Sequence, residues 1–243
     1  MPYLLQYSAA QGYQQVGILF TNTAWGRSNL AAAEKYALTG RPPKIVRSAW
    51  YSWAEKTLID KYNHLVDSGA EAIILVSNEE AAILVREMAA LPAARRVPLI
   101  AHGGLTGGEF FEQTGSALEK VKLSILQTFS FFSADPVMVA RFIESATRIQ
   151  ADSVQKASPL RVDDIKSPAG VAHAYDAIHI LARAINLAGS TDRSRIRDAL
   201  EKIPRHRGLV KNYAPPFTAS NHEALSKHEL MMTRFRADGV LVP

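Results

Sequence analysis

The chain has 243 residues, of which 47% are hydrophobic and 21% charged, so it is long enough to bury a substantial core. It has no cysteine, which excludes disulfides, thiolate metal sites and a cysteine nucleophile. The net charge of +5 comes from scattered basic residues, which argues against a nucleic-acid-binding surface. The longest apolar runs fall short of the ~18 residues of a membrane-spanning helix, and the opening segment lacks the pattern of a secretory signal.

Apolar, β-branched runs alternate with amphipathic helical patterns in the first half of the chain. The predicted strands are 14–21, 44–50, 70–77 and 97–102, and the predicted helices are 28–38, 55–68 and 79–91. Nearly continuous apolar strands separated by helices indicate a parallel sheet covered on both faces, with right-handed connections. We therefore predict an α/β fold with a doubly wound parallel sheet.

The second half of the chain is mainly helical. The predicted elements are a strand at 123–132, a helix at 136–149, a polar connection at 150–167, helices within 170–189 and 190–203, and terminal strands within 208–213 and 229–235. The helix within 170–189 places Val171, Tyr175, Ile178 and Leu181 on one face. A Ser/Thr/Asp cluster at 190–192 is typical of a helix N-cap.

The residues that directly follow the first four strands form the candidate site, because open parallel sheets bind ligands outside the carboxyl ends of their strands. In chain order these residues are Thr21, Asn22 and Trp25; Trp50, Tyr51 and Trp53; Ser77, Asn78 and Glu79; and His102, Gly103 and Gly104. Aromatic faces combined with a few polar groups suit a small organic ligand. For Trp50 and Trp53, packing over the end of the sheet is an equally open alternative.

Trp25 stands in a strand-to-helix loop where a phosphate-binding loop needs several glycines, and only Gly26 is present. The segment HGGLTGGEF, which begins at His102, has a GGxxGG spacing that is a weak nucleotide signature. We therefore expect no cofactor. We also expect no metal, because His222 and His228 are six residues apart and do not share one helical face as zinc ligands would. Catalytic motifs are also missing, which favours a protein that is not an enzyme. One enzymatic alternative stays open, an α/β enzyme with Glu79 and His102 as an acid–base pair. Glu79 equally suits a helix-dipole role.

Five segments together resemble the type I periplasmic solute-binding proteins of the Leu/Ile/Val-binding class, the extracytoplasmic receptors of ABC importers. In chain order they are VGILFTNTAWGRS, DSGAEAIILVSNEEAAILVREM, PLIAHGGLTGGEF, AHAYDAIHILARAINLAGSTDRSRIRDALEKI and FRADGVLVP. The resemblance implies two α/β lobes that close on a ligand. It also implies that a signal peptide and most of lobe 1 would precede the strand at 14–21. The expected division is lobe 2 at 1–129, the remaining part of lobe 1 at 130–216, and a return to lobe 2 at 217–243.

The resemblance also implies ligand-binding residues. Trp25 matches the aromatic residue before glycine in the first loop, and Ser77 and Asn78 match the polar loop after the third strand. The acidic residue that holds the ligand ammonium in amino-acid receptors falls close to Gly103, beside His102, which is a departure from the family pattern. Tyr175 matches an aromatic residue that faces the cleft, and a buried core tyrosine is its open alternative.

The expected function is that of a periplasmic or extracytoplasmic receptor that presents a small organic ligand to a membrane permease. The candidate ligands are an amino acid, an amide, or an organic or aromatic acid. The absence of an acidic residue at Gly103 favours the acids and amides over leucine, isoleucine or valine, because a buried ammonium needs an acidic partner. The alternative with the same fold is a ligand-sensing module of a signalling receptor.

Overall fold

The computed structural model describes residues 1–153 and 159–243. The helices are α1 (Pro2–Ala10), α2 (Ala24–Ala37), α3 (Ile59–Asp67), α4 (Ala82–Ala89), α5 (Phe110–Thr114), α6 (Pro136–Ser153), α7 (Pro168–Ala188) and α8 (Arg193–Leu200). The strands are β1 (Gln15–Thr21), β2 (Lys44–Tyr51), β3 (Ala72–Val76), β4 (Leu99–Ala101), β5 (Leu123–Gln127), β6 (His206–Arg207), β7 (Asn212–Tyr213), β8 (Met231–Phe235) and β9 (Leu241–Val242).

The chain forms two compact units. The first unit comprises Met1–Leu126 and Met232–Gly239, and the second comprises Gln127–Met231 and Val240–Pro243. The lobe boundaries expected from the sequence, at 129 and 217, stay predictions. Within the described residues, none of the helices is both long enough and apolar enough to cross a membrane.

The sheet of the first unit has the strand order β2-β1-β3-β4-β5-β8, and its first five strands are parallel. The chain moves from β1 to β2 in one direction and then continues through β3, β4 and β5 on the other side of β1. Right-handed connections therefore place α2 on one face and α3 and α4 on the other. The contacts agree, because α1 packs against α2 and α3 against α4. The predicted doubly wound α/β fold is confirmed.

The centre of this sheet explains why its strands are almost continuously apolar. All five residues of β3 are buried, as are the last six residues of β1, because both strands lie between two layers of helices. Each fully buried Ile, Leu or Phe contributes about 1.5–3 kcal/mol of transfer free energy. Strand β2 lies at the edge, and its residues are exposed or half-buried except for Tyr51 at its end, which is buried.

Several elements differ from the sequence prediction; helix α3, for example, begins at Ile59 rather than at 55. Helix α1, which the sequence did not indicate, buries Leu4 and Leu5 completely. Helix α2 begins at Ala24 rather than at 28, because Thr23 caps it. Strand β5 ends at Gln127, while the predicted strand continued to 132. The apolar residues that extended the prediction, Phe129 and Phe131, instead pack into the core of the second unit.

The second unit is built around α7. Its buried positions are Ala172, Asp176, Ile180 and Ala184, together with Pro168 at its start. The predicted face is therefore only partly buried: Val171 and Tyr175 pack against a core cluster, but Ile178 is 65% exposed and Leu181 is 40% exposed. The predicted N-cap of the next helix is confirmed at Asp192, whose side chain accepts from the Arg195 N–H. Helix α6 continues to Ser153 into the predicted polar connection, of which 154–158 lie outside the described residues.

Asp176 fixes α7 to the hairpin formed by β6 and β7. Its carboxylate is 1% exposed and accepts hydrogen bonds from the Leu209 N–H (2.5 Å), the Val210 N–H (2.9 Å) and the Tyr213 hydroxyl (2.9 Å). Burial, and then the nearby Asp176 charge, raise the pKa of Tyr213, so its hydroxyl stays a donor. The buried charge is thus matched by three donors, as a buried carboxylate requires.

Candidate functional site

The first turn of α2 lies directly on the end of β1. The Thr23 hydroxyl accepts from the Gly26 N–H (3.3 Å) and caps the helix. A Cβ atom at position 26 would overlap the Thr21 carbonyl oxygen and lie 3.1 Å from the Trp50 ring. Gly26 therefore permits a close approach of helix and strand. It thereby fixes the position of Trp25, which lies half-buried in the first helical turn.

Trp25 packs against His102 from the loop after β4. The two ring centroids are 5.1 Å apart and the rings are perpendicular. The Nδ1 atom of His102 accepts from the Gly103 N–H (3.1 Å), which leaves the proton of the neutral ring on Nε2. Burial, and then the positive chain terminus at Met1, lower the pKa of His102 to about 4. His102 is therefore a neutral hydrogen-bond donor at physiological pH.

The loops after β3 and β4 meet at Gly104. A Cβ atom at this position would overlap the Asn78 Oδ1 atom, and it would lie 2.8 Å from the Ser77 carbonyl oxygen and 3.3 Å from Trp25 Cη2. Gly104 is thus the glycine that lets the two loops and the indole approach one another. Gly103, which was singled out from the sequence, lies next to it and donates its N–H to His102.

A second polar group at the same sheet edge joins Tyr51, which the sequence had placed there, to Glu80, which it had not. The Tyr51 hydroxyl donates to Glu80 Oε1 (2.5 Å), and the same oxygen accepts from the Asn78 N–H (3.2 Å). Burial, and then the Glu80 carboxylate, raise the pKa of Tyr51. Glu80 was not among the candidate site residues taken from the sequence. Its position two residues after Asn78 was the available signal, because that spacing lets a side chain fold back onto the loop.

Ser77, the residue before Asn78, is 1% exposed. Its hydroxyl lies near that of Tyr51 and opposes the rise of the Tyr51 pKa, but its Oγ atom makes no well-formed hydrogen bond to the part of the chain that the structure describes. Thr21 accepts from the Trp53 indole N–H at 3.1 Å. Ser77 is therefore a buried hydroxyl with spare hydrogen-bonding capacity, which is unusual in a folded protein.

Glu79 has a structural partner. Its carboxylate accepts from the Glu109 N–H (3.1 Å) and occupies the space where a Cβ atom of Gly108 would lie. Glu79 therefore fastens the loop after β4. His102 and Glu79 share the sheet edge, but no hydrogen bond joins their side chains among the described residues. The geometry does not favour the acid–base pair considered above.

The remaining aromatic candidates have different surroundings. Trp50 stacks on Phe20, with ring centroids 5.0 Å apart, which supports the packing alternative for this residue. Trp53 is 67% exposed. Tyr175 belongs to the second unit, where it contacts Phe142 (5.4 Å between centroids) and His179 (4.4 Å) at the margin of a core cluster. A ligand-binding role for Tyr175 stays a prediction.

Comparison with solved structures finds proteins of similar fold. A type 1 periplasmic binding protein from Bordetella pertussis Tohama I has a TM-score of 0.79 and 21% identity, over 97% of this chain and 62% of that one. A fatty acid ABC transporter substrate-binding protein from Thermomonospora curvata has a TM-score of 0.72 and 15% identity, over 99% and 60%. A branched-chain amino acid transporter substrate-binding protein from Streptococcus pneumoniae, in complex with isoleucine, has a TM-score of 0.70 and 17% identity, over 98% and 61%.

These comparisons concern the fold alone, because every identity is below 25%. The chain spans about three-fifths of the length of the solved structures that it matches. No protein-family profile matches the sequence, and no curated protein matches it. The shared architecture is that of type I periplasmic binding proteins.

Proposed function

We propose that the chain is the ligand-binding part of a solute receptor, and that a small organic molecule binds at the carboxyl-end edge of the first unit. The observation that carries the proposal is the position of Trp25, Asn78 and His102. Strands β1 and β3 are neighbours in the sheet, but the chain leaves them in opposite directions, and such a switch point is the usual ligand crevice of an open α/β sheet. The loop after β1 carries Trp25, and the loop after β3 carries Asn78.

The chemistry of this edge also supports binding. Trp25 offers a half-buried aromatic surface, and the neutral His102 offers a donor beside it. Ser77 and Asn78 add polar groups from the neighbouring loop. An apolar wall with a few fixed polar groups is the common design of small-molecule sites. The solved structures with this fold include receptors for a fatty acid and for isoleucine, which agrees with a binding role.

In the proposed receptor, Trp25, Ser77, Asn78, Glu79, His102, Gly103 and Tyr175 remain the candidate ligand contacts. The expected mechanism is closure of two lobes on the ligand, followed by presentation to an ABC permease on the extracytoplasmic side of a membrane. The lobes would be those expected from the sequence, with 1–129 and 217–243 in lobe 2 and 130–216 in lobe 1.

The test is a binding measurement on the 243-residue chain and two variants. A panel of small organic acids, amides and amino acids is screened by tryptophan fluorescence, and each ligand found is measured by titration calorimetry. Trp25→Ala should weaken binding by about tenfold or more, because a lost aromatic face costs about 0.5–1.5 kcal/mol beyond the lost apolar area. Leu38→Ala is the control, since Leu38 caps the opposite end of α2 and is 89% exposed.

Two results would contradict the proposal. One is the failure of every compound in the panel to bind. The other is saturable binding that responds equally little to Trp25→Ala and to Leu38→Ala, because the ligand would then bind away from this edge. Circular dichroism of both variants shows whether the fold is retained.

A further inference from the structure

We infer that Tyr51 and Glu80 are positioning residues of the proposed site. Their side chains form a bridge over the end of β1, and this bridge holds Asn78 in the orientation in which it contacts the ligand. The inference rests on the proposed function, because Asn78 is one of its candidate ligand contacts. The two bridge residues act through Asn78 and need not touch the ligand themselves.

The bridge joins two strands that are not neighbours. Tyr51 is the last residue of β2, Glu80 follows β3, and β1 lies between these strands in the sheet. Neighbouring strands are about 4.8 Å apart, so β2 and β3 are separated by about 10 Å. The Tyr51 hydroxyl nevertheless donates to Glu80 Oε1 at 2.5 Å. The two side chains therefore meet over the carboxyl end of β1, beside the switch point between β1 and β3.

The surroundings of Tyr51 agree with this path. Tyr51 is 2% exposed and lies opposite Thr21, the last residue of β1. Burial, and then Glu80, raise the pKa of Tyr51, and the nearby Thr21 and Ser77 hydroxyls oppose this rise. The hydroxyl thus lies between the ends of β1 and β3. The Tyr51 carbonyl also accepts from the Asn22 N–H (2.7 Å), so Tyr51 links its own strand end to the loops after β1 and β3.

Asn78 is held by the bridge on one side and packs against Gly104 on the other. Its backbone N–H donates to the same Glu80 Oε1 atom that accepts from Tyr51 (3.2 Å). Its Oδ1 atom lies only 2.4 Å from the place that a Cβ atom of residue 104 would occupy. Ligand-binding groups are effective when supporting contacts lock their position, and the bridge supplies such a contact to an otherwise irregular loop.

Three variants test the bridge. Tyr51→Phe removes only the hydroxyl, Glu80→Ala removes the acceptor, and Glu80→Gln keeps an oxygen that can accept both hydrogen bonds. The probes are L-leucine, L-phenylalanine, 4-methylpentanoate and 3-phenylpropanoate, each measured by calorimetry with the 243-residue chain. Tyr51→Phe and Glu80→Ala should weaken the binding of a probe about three- to tenfold, and Glu80→Gln should stay within about twofold of the parent chain.

The controls remove matched groups away from this edge. Tyr36→Phe removes a buried hydroxyl that donates to the Pro42 carbonyl, and Glu71→Ala removes a carboxylate that accepts from the Gln14 N–H. Both controls should leave the affinity unchanged. Affinities in Tyr51→Phe and Glu80→Ala equal to those of their controls would overturn the inference and leave the proposed function intact.

A double-mutant cycle separates positioning from a general loss of stability. If the bridge acts through Asn78, Tyr51→Phe should have no further effect on affinity once Asn78→Ala is present. Additive effects of the two changes would overturn the inference, because Tyr51 would then influence the ligand by another route.

Amide hydrogen exchange of the free chain tests the same bridge without a ligand. Exchange in the segment 77–82 should become faster in Tyr51→Phe and Glu80→Ala and stay near that of the parent chain in Glu80→Gln. Unchanged exchange in this segment would overturn the inference. Failure of all four probes and of the wider panel to bind would instead contradict the proposed function.

Discussion

Replacing Asp176 by Asn should destabilise the second unit strongly. The side chain keeps its size, but it loses its charge and one of its two acceptor oxygens. Wherever the new NH₂ group lies, it faces a donor, because the two carboxylate oxygens accept from the Leu209 N–H, the Val210 N–H and the Tyr213 hydroxyl. Hydrogen bonds to charged groups are worth about 1.5–3 kcal/mol each, and leaving a buried donor unsatisfied costs about 1–3 kcal/mol. We therefore expect a loss of about 3–5 kcal/mol in the free energy of unfolding.

Urea unfolding followed by circular dichroism at 222 nm measures this loss, since α6, α7 and α8 contribute much of the helical signal. The matched control is Asp198→Asn. Asp198 lies on α8 of the same unit and makes a surface ion pair with Arg197, so this change should leave the midpoint close to that of the parent chain. If the two variants unfold at the same urea concentration, Asp176 does not stabilise the unit as described.

Three further predictions concern the first unit. Gly104→Ala should lower both stability and ligand affinity, because the new Cβ atom would overlap Asn78. Gly107→Ala is the control and should be nearly neutral, because the nearest atom to its Cβ would be 3.8 Å away. Urea unfolding compares the stability of the two variants. The low pKa of His102 should make the fold less stable as the pH falls from 6.5 towards 4, because the unfolded chain binds the proton first. The loss in the free energy of unfolding should reach about 3 kcal/mol. His102→Gln should reduce this dependence of the unfolding free energy on pH, as measured by urea titrations at several pH values. Trp25→Phe should retain most of the ligand affinity while reducing ligand-induced fluorescence change, and a loss as large as that in Trp25→Ala would contradict a stacking role.

Much of the fold could be predicted from the sequence, because the apolar composition of the central strands indicates burial on both faces. The segments that form β1 and β3 are apolar on both faces, which indicates strands covered by helices on both sides. The helical patterns between them require crossover connections. Helix α1 escaped prediction because its apolar residues, Leu4 and Leu5, are adjacent and do not repeat with a clear helical period. Their burial depends on neighbours that are distant in the sequence.

The candidate site was predictable as a set of strand ends and not as a set of contacts. The sequence placed Trp25, Asn78 and His102 after three different strands, which is sufficient to bring them to one edge of a parallel sheet. It could not show that Gly104 is the point of close approach, nor that Tyr51 and Glu80 form a hydrogen bond across 29 residues. Those contacts depend on loop conformations, which local propensity does not fix.

The sequence by itself determined the class of fold, the edge of the sheet at which the candidate site residues lie, and the absence of cysteine chemistry. These properties follow from hydrophobic periodicity and composition, which are local features of the chain. Only the tertiary structure decided which polar groups at that edge are already engaged. In the structure, Glu79 and Glu80 accept hydrogen bonds from donors of the chain itself, and His102 keeps its Nε2–H as a donor. The sequence does not reveal whether the carboxylate of a glutamate is already hydrogen-bonded. Its partner depends on packing between segments that are far apart along the chain.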